Sequence, residues 1–351
     1  MISAVIVKLS SQVIITYFEK IYKFFLKKVA GEFMKIEKYK SLVGNTPFAQ
    51  IVCRVNGKLK NVFAKLEWYN LSGSIKDRVA FYILNYAIKN KCIQKGQSIV
   101  EVTSGNTGIS FCAFGALLGY KIEILMPEWM SDERKKLMKS YGANLRLLSK
   151  EEGGFLKGLE LLKTDYKNEF LPLQFENRLN VNCHYYTTGK EICKALFSND
   201  IVPDNFVAGV GTGGTLIGCA KRLKKDFKDI KVYAMEPASS PTLKVGKKVG
   251  VHLIEGISDD FVPKIYNPKL VDDIVDVGNE EAIYFANMLA KKLGLAVGIS
   301  SGANFASALK LDGNTVTIFA DDNKKYLSTH LCKPNDYKPD FDFELIDMKI
   351  L

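Results

Sequence analysis

Short apolar runs alternate with longer stretches of helical periodicity along most of the chain. The apolar runs cover residues 122–126, 145–148, 231–236 and 315–319, and the helical stretches cover 131–141, 154–166 and 280–293. Alternation of this kind predicts an α/β fold in which mostly parallel, twisted sheets are flanked by helices. A chain of 351 residues has the length of about two domains.

The predicted domain boundaries follow the order of these elements. We predict an N-terminal extension over residues 1–33, a first α/β domain with a mobile substrate-binding part over 34–180, a second over 181–330 and a tail over 331–351. Ligands of open parallel sheets bind beyond the carboxyl ends of the strands. The polar loops that follow two predicted strands therefore define the candidate site.

Lys76 is the first candidate for chemistry. Residues 70–78 read Asn-Leu-Ser-Gly-Ser-Ile-Lys-Asp-Arg, so the lysine follows a tight turn. A fixed amine of this kind suits Schiff-base formation, although the unperturbed ammonium has a pKa of about 10.4 and is no nucleophile at neutral pH. Burial and a neighbouring cation such as Arg78 would both favour the neutral amine. The alternative is an ordinary turn and helix start with solvated charges.

The first polar loop lies between an apolar run at 98–100 and a buried helical stretch from residue 109. Its side chains that can form hydrogen bonds are Thr103, Ser104, Asn106 and Thr107. The N-terminus of a helix attracts anions through its dipole and its unpaired N–H groups. One such residue is enough for an N-cap, so the loop indicates a site for a carboxylate or a phosphate.

The second loop is rich in glycine and also precedes a helix. Residues 209–215 read Gly-Val-Gly-Thr-Gly-Gly-Thr, and backbone amides bared by glycine can surround a phosphate. Gly209, Gly211 and Gly214 also fit G-x-G-x-x-G, with Glu236 at the end of the next strand as a ribose-binding acid. An NAD(P)-dependent Rossmann enzyme is therefore an alternative, but it leaves the lysine segment without a function.

Taken together, these segments resemble the cysteine synthase and cystathionine β-synthase family of fold type II pyridoxal-phosphate enzymes, whose fold is like that of the tryptophan synthase β subunit. The resemblance covers roughly four-fifths of the chain and includes further motifs at 43–47, 127–131, 174–177, 184–189, 298–302 and 325–329. The Ser-x-Lys-Asp-Arg form is closer to this branch than to the serine and threonine dehydratases.

The resemblance implies pyridoxal 5'-phosphate as cofactor and gives each motif a role. Lys76 would hold the cofactor as a Schiff base and later move the α-proton of the substrate. Asn106 would bond the ring hydroxyl oxygen, and Ser300 would face the ring nitrogen and leave it largely unprotonated, which favours loss of a β-substituent. The cofactor phosphate would be held by Gly211, Thr212, Gly213, Gly214 and Thr215. The substrate carboxylate would be held by Thr103, Ser104, Thr107 and Gln174.

The implied reaction is β-replacement or β-elimination on a serine or cysteine skeleton through an aminoacrylate. It would run either from O-acetylserine and sulfide to cysteine or from L-cysteine and water to L-serine and hydrogen sulfide. The family usually has small residues after Glu255-Gly256-Ile257, where this chain has Ser258, Asp259 and Asp260. Either carboxylate would hold the substrate ammonium or activate a water, and a solvated acidic turn is the alternative.

Assembly and partners are also implied by the resemblance. Relatives pair as two-fold dimers, and symmetric dimers are the commonest assembly of soluble enzymes, so we expect a homodimer. A degenerate relative that only binds a partner, such as the tail of a serine acetyltransferase, is a further alternative. The intact set of Lys76, Asn106, residues 211–215 and Ser300 argues against it.

Composition limits the remaining possibilities. Seven cysteines without a C-x-x-C pair indicate reduced thiols in the cytoplasm, and three histidines without ligand spacing predict no metal site. The net charge of +11 is spread over helices, and nothing resembles a nucleic-acid-binding module. Lys8 interrupts the apolar start of the chain, so residues 1–33 predict no stable membrane insertion and a dispensable extension. An interfacial amphipathic helix is the alternative there.

Overall fold

The computed structural model describes residues 36–258 and 260–351, so the predicted extension over 1–33 and the candidate Asp259 lie outside the described residues. Ten strands form two sheets within them. The strands are β1 (Phe48–Val55), β2 (Lys58–Leu66), β3 (Ile99–Val102), β4 (Ile122–Pro127), β5 (Asn144–Leu148), β6 (Asn205–Gly209), β7 (Lys231–Pro237), β8 (Asp273–Val277), β9 (Thr315–Phe319) and β10 (Phe343–Ile350).

Helices cover both sheets. They are α1 (Lys76–Lys89), α2 (Asn106–Leu118), α3 (Asp132–Ser140), α4 (Gly154–Thr164), α5 (Arg178–Tyr186), α6 (Thr188–Ser198), α7 (Gly214–Asp226), α8 (Thr242–Val245), α9 (Asn279–Leu293) and α10 (Ile299–Lys310). The described residues contain no helix with the length and apolar character that crossing a bilayer requires.

The smaller sheet has the order β3-β4-β5 and is entirely parallel. Successive residues of β3 bury on opposite faces, because side chains alternate along a strand. Ile99 packs with α1 and α2, whereas Val100 and Val102 pack with Phe155 of α4. Both faces are therefore apolar, which is why this stretch of sequence shows no polar alternation.

The larger sheet has the order β10-β1-β2-β9-β6-β7-β8. The neighbouring strands β2, β9, β6, β7 and β8 pair in parallel, whereas β1 pairs antiparallel with both β2 and β10. The predicted α/β fold with two mostly parallel sheets is confirmed.

The sheets do not follow the predicted boundaries in the chain. Strands β1 and β2, placed in the first domain by their position before residue 180, pair with β9 in the larger sheet. The predicted tail over 331–351 contains β10, which pairs with β1. Sheet membership depends on pairing between distant segments, and the local periodicity of the chain carries no information about it.

Candidate functional site

A cavity lies where the loops after β3 and β6 face each other and α1 begins. It is lined by most of the predicted site residues, namely Lys76, Thr103, Ser104, Asn106, Thr107, Gln174, Gly211, Thr212, Gly213, Thr215 and Ser300. Gly214 is not part of this lining, and Asp260 lines a second, neighbouring cavity. The carboxyl ends of strands from both sheets thus contribute to a single site, as expected for parallel sheets.

The turn before α1 fixes the backbone of Lys76. The Lys76 N–H donates to Ser74 Oγ at 3.3 Å. The N–H and the hydroxyl of Ser72 both donate to the buried carboxylate of Asp77, at 2.7 and 2.5 Å. These hydrogen bonds hold the turn on both sides of Ile75. The Lys76 side chain therefore leaves the start of the helix in a defined direction. The Ser-Gly-Ser turn of the sequence is therefore a support for the lysine.

Arg78 does not act as the free neighbouring cation that the sequence suggested. Its buried guanidinium donates to Glu67 at 2.6 Å and to Glu191 at 2.7 Å. Burial alone would raise the pKa of Glu67, but the charge and hydrogen bonds of Arg78 lower it to about 2. The arginine charge is balanced by two carboxylates. Arg78 thus anchors α1 to the larger sheet beside Lys76.

The glycine loop at the start of α7 forms a cradle that side chains would fill. A Cβ at Gly211 would overlap the carbonyl oxygen of Gly256, and one at Gly214 would overlap the side chain of Asn180. Gly213 has φ +84°, which an L side chain rarely adopts. The first N–H groups of a helix have no intrahelical partner and attract anions. The cradle therefore fits the phosphate of the implied cofactor.

His184 supports this cradle. The sequence placed it in the 184–189 motif of the resemblance but gave it no role in the site. Its Nδ1 lies 3.0 Å from Thr188 Oγ1 and its Nε2 lies 3.3 Å from Thr215 Oγ1. Burial, together with the charges of Lys76 and Arg78, lowers the pKa of His184 well below its usual value. The neutral ring therefore holds the Thr215 hydroxyl.

The loop after β3 gathers hydroxyl and amide groups at the N-terminus of α2. Thr107 Oγ1 donates to Gln174 Oε1 at 2.6 Å, and Gln174 Nε2 donates to the Val102 carbonyl at 3.0 Å. Thr103 Oγ1 accepts from the Gly105 N–H at 3.1 Å. Together with the helix N-terminus, these groups suit a carboxylate.

Asn106 has an unsatisfied group in the same wall. Its Nδ2 donates to Asp321 Oδ2 at 2.7 Å, whereas its buried Oδ1 has no partner among the described residues. An unpaired buried polar atom costs free energy unless a ligand or a water reaches it. Asn106 Nδ2 also keeps a second N–H for a ring oxygen, so the side chains present fit the implied cofactor at both its phosphate end and its ring hydroxyl end, and Oδ1 stays available to a water.

Asp260 lies in an outer chamber that opens from the inner cavity. Its carboxylate pairs with Lys248 at 2.6 Å, and the chamber is also lined by Trp129 and His252. Ser258 is buried, has φ +52° and donates its hydroxyl to the Ser240 carbonyl at 2.9 Å. The inner cavity and the outer chamber share Ser104 and residues 255–257, and Lys76 lines only the inner one and Asp260 only the outer one.

Glu236 is occupied by a helix and does not meet the requirement of the dinucleotide alternative. Its carboxylate accepts the N–H groups of Leu243 at 2.6 Å and Lys244 at 3.4 Å. These are first-turn donors of α8, which a carboxylate satisfies well. A ribose would have to compete with this cap.

Glu101 is another residue to which the sequence gave no role, because it lies in an otherwise apolar strand. Its carboxylate accepts the N–H groups of Val102 at 3.0 Å and Gln174 at 3.2 Å, and so holds the backbone of a predicted substrate-binding residue. Burial raises its pKa to about 8, although the backbone hydrogen bonds oppose this shift. A carboxyl group at the end of β3 is the signal that could have found it.

This shift predicts a dependence of stability on pH. As pH rises from about 4.5 to about 8, unfolded Glu101 releases a proton that the folded protein retains, so the free energy of unfolding should fall. Glu101→Gln cannot ionise, and its stability should decline less steeply over the same window. Urea unfolding at both ends of the window measures this slope, with the exposed Glu160→Gln as control. Equal slopes for wild type and Glu101→Gln would contradict the assignment.

Metal-binding clusters and cysteine thiols are the remaining kinds of candidate site. No cluster of three or more histidine, cysteine or acidic side chains able to hold a metal occurs among residues 36–258 and 260–351. All seven cysteines are free, and burial raises the thiol pKa of Cys53, Cys112 and Cys183 to about 12.

Comparison with known proteins extends the agreement to most of the chain. The family described as "Pyridoxal-phosphate dependent enzyme" matches residues 39–321. Cysteine synthase of Staphylococcus aureus (strain N315) is 39% identical over 304 residues, which are 84% of this chain and 97% of that protein.

Solved structures are also similar. A hydrogen sulfide-producing enzyme from Fusobacterium nucleatum has 47% identity and a TM-score of 0.86, and the match covers 91% of this chain and 99% of that one. Cysteine synthase from Entamoeba histolytica has 35% identity and a TM-score of 0.75, with 85% and 91% covered. A mutant of the Fusobacterium enzyme was crystallised in complex with an α-aminoacrylate intermediate.

Proposed function

Because the chain belongs to the family of pyridoxal-phosphate-dependent enzymes, we propose that it exchanges the β-substituent of serine- or cysteine-type amino acids, with L-cysteine and water giving L-serine and hydrogen sulfide as the main reaction. The observation that carries this proposal is the single cavity in which a lysine, a phosphate cradle and a carboxylate-binding loop meet. The similarity to a hydrogen sulfide-producing enzyme along nearly the whole chain supports the choice of reaction.

Each group of residues in the cavity has its own role in the proposed reaction. When bound, pyridoxal phosphate supplies an electron-accepting ring and a carbonyl carbon that forms Schiff bases with amines. Lys76 provides the amine that holds the cofactor and takes the α-proton of the substrate. The 211–215 cradle would hold the phosphate, and the hydroxyl of Ser300 would face the ring nitrogen and leave it largely unprotonated. The groups of Thr103, Ser104, Thr107 and Gln174 hold the substrate carboxylate.

The overall reaction balances without an oxidant. The α C–H bond of cysteine breaks and its proton goes to Lys76, after which the Cβ–S bond breaks and the sulfur leaves as hydrosulfide, HS⁻. Water then adds its oxygen to Cβ and loses one proton, which converts the hydrosulfide to hydrogen sulfide, and Lys76 returns its proton to Cα. Water is a weak nucleophile, so a general base is needed at this step, and a positioned base typically contributes about 10²- to 10⁴-fold.

Synthesis of cysteine from O-acetylserine and sulfide is the second candidate, because the matched Staphylococcus aureus relative is named cysteine synthase. Sulfide is a strong nucleophile and needs no general base. The acidic residues after Ile257 should therefore matter for the first reaction and not for the second.

This difference gives a test of direction. The double variant Asp259→Asn/Asp260→Asn should lose about 10²- to 10⁴-fold in serine formation from cysteine and stay within about threefold in cysteine formation from O-acetylserine and sulfide. Lys248→Met is the matched control, because it removes the partner of Asp260 and keeps both acids. The two single variants assign the effect. Unchanged serine formation in the double variant would show that neither carboxylate has a catalytic role.

If the protein showed no turnover with either substrate pair, it would instead be a relative that only binds a partner, such as the tail of a serine acetyltransferase. The presence of Lys76, Asn106, Ser300 and most of the 211–215 loop in one cavity argues for catalysis.

We also propose a cytoplasmic homodimer. The seven free cysteines are consistent with a reducing compartment, and two-fold dimers are the commonest enzyme assembly.

A further inference from the structure

We infer that Asp321 is a positioning residue that fixes the amide of Asn106 and, through it, the hydrogen bond to the ring hydroxyl of the cofactor. The inference rests on the proposed function only in that pyridoxal phosphate occupies the cavity. Asp321 does not line that cavity, and none of the sequence motifs points to it.

Asp321 follows β9 and is completely buried. Its Oδ2 accepts from Asn106 Nδ2 at 2.7 Å and from the hydroxyl of Tyr326, also at 2.7 Å. Because Oδ2 is the acceptor of both bonds, the Asn106 amide must direct nitrogen, and not oxygen, toward it. The carboxylate therefore selects one of the two orientations that an asparagine amide can adopt.

This selection determines what Asn106 can offer the cofactor. The amide nitrogen carries two N–H groups, and the contact with Asp321 uses one of them. The second N–H is the donor left for the ring oxygen. A carboxylate acceptor on the first N–H also polarises the amide, which strengthens the second as a donor. A donor at the ring oxygen favours its ionised form and keeps the ring in the plane of the Schiff base.

The structure holds Asp321 firmly in this place. Its backbone carbonyl accepts from the Gly298 N–H at 3.1 Å. A Cβ at Gly298 would overlap Asp321 Oδ1 and lie 2.8 Å from the Tyr326 ring, so only glycine leaves room for the carboxylate. The guanidinium of Arg134 lies 4.8 Å from the centre of the same tyrosine ring, on the far side of the network. Arg134 in turn pairs with Glu255 at the cavity wall.

The network therefore crosses from one sheet to the other. Asn106 is the first residue of α2 and Arg134 lies in α3, and both helices pack on the smaller sheet. Asp321, Tyr326 and Glu255 lie in loops of the larger sheet. Three of its members, Asn106, Arg134 and Glu255, line the cavity. Asp321 is the member that joins the cofactor-facing amide to the rest.

Asp321→Asn tests the inference, because it keeps the shape of the side chain but no longer requires the Asn106 amide to direct its nitrogen toward residue 321. We expect the visible absorbance of the bound cofactor to fall relative to its near-ultraviolet absorbance, since the ring hydroxyl is less ionised. Cofactor affinity should fall about tenfold or more, as for loss of a hydrogen bond to a charged group. We expect kcat to fall, with KM for cysteine changed less than about threefold.

Asp322→Asn is the matched control, because this neighbouring carboxylate accepts from the Lys324 N–H at 3.2 Å and has no contact with Asn106. Tyr326→Phe keeps the contact between Asp321 and Asn106, so its absorbance ratio should remain that of wild type. If Asp321→Asn does not fold, Asp321→Ser should show the same direction of spectral change.

A double-mutant cycle separates positioning from a general structural role. In the Asn106→Ala background, Asp321→Asn should cause no further change in the absorbance ratio. A wild-type ratio in Asp321→Asn with only a lower melting temperature would overturn the inference, as would an equal spectral change in both backgrounds. Because these spectra need no amino-acid substrate, a failure of the proposed reaction would remain distinguishable from a failure of the inference.

Discussion

Lys76→Ala should abolish the reaction and the Schiff-base absorbance of the protein while leaving it folded. Lys76 is the first residue of α1 and lines the cavity, so its loss removes both the amine that binds the cofactor and the base that moves the α-proton. Alanine is a good helix former, and the turn before α1 is held by Ser72 and Asp77 without help from the lysine side chain. We expect activity to fall by about 10⁴-fold or more, since the loss of a general base alone costs about 10²- to 10⁴-fold.

Three measurements check this expectation. They are the visible absorbance of the purified protein, trapping of the cofactor by borohydride and the rate of sulfide release from cysteine. Lys89→Ala at the other end of α1 is the control, because it removes an exposed lysine from the same helix. A nicotinamide dinucleotide bound to the purified protein, with no trappable imine, would contradict the whole assignment of the site.

Gly211→Ala should cause the second largest loss, this time through cofactor binding. The added methyl group would overlap the carbonyl oxygen of Gly256, which is backbone and cannot rotate away. The 211–215 cradle and the 255–257 segment would have to move apart. The N–H groups of the cradle would then no longer point toward one phosphate position. We expect cofactor affinity to fall at least about tenfold, as for one lost hydrogen bond to a charged group.

Equilibrium dialysis of the cofactor measures this loss directly, and excess cofactor should restore part of the activity. Gly278→Ala is a suitable control, because its Cβ would meet only Glu281 Cβ at 3.8 Å and its φ of −72° suits alanine. Unchanged affinity in Gly211→Ala would mean that the phosphate lies away from this loop.

The residues that the sequence predicted well are those whose chemistry is local. The turn before Lys76 and the loop at 211–215 each combine a strand end, small or polar residues and a helix start within a few positions. Such segments are readable because backbone conformation and side-chain chemistry are specified together. The structure brings both of them into one cavity.

The residues that the sequence did not reveal depend on contacts between distant segments. Asn106 and Asp321 are 215 positions apart, and no periodicity connects them. Arg134 lies in a helix of charged residues that reads as a solvated face, yet it is buried against Tyr326 because Gly105 has no side chain in its way. Its burial follows from packing between the two sheets, which a local pattern cannot encode.

The place of β10 at the edge of the larger sheet has a consequence for the order in which the protein is made and folded. Strands β3 to β5 lie within residues 99–148, so the smaller sheet can close soon after its own segment leaves the ribosome. Strand β1 is made before them, but its two partners are β2 and β10, and β2 itself waits for β9. Contacts between such distant segments form slowly because long loops must close first. The nascent hairpin of β1 and β2 therefore keeps open edges during most of synthesis, which is the period when edge strands are prone to pair with other chains.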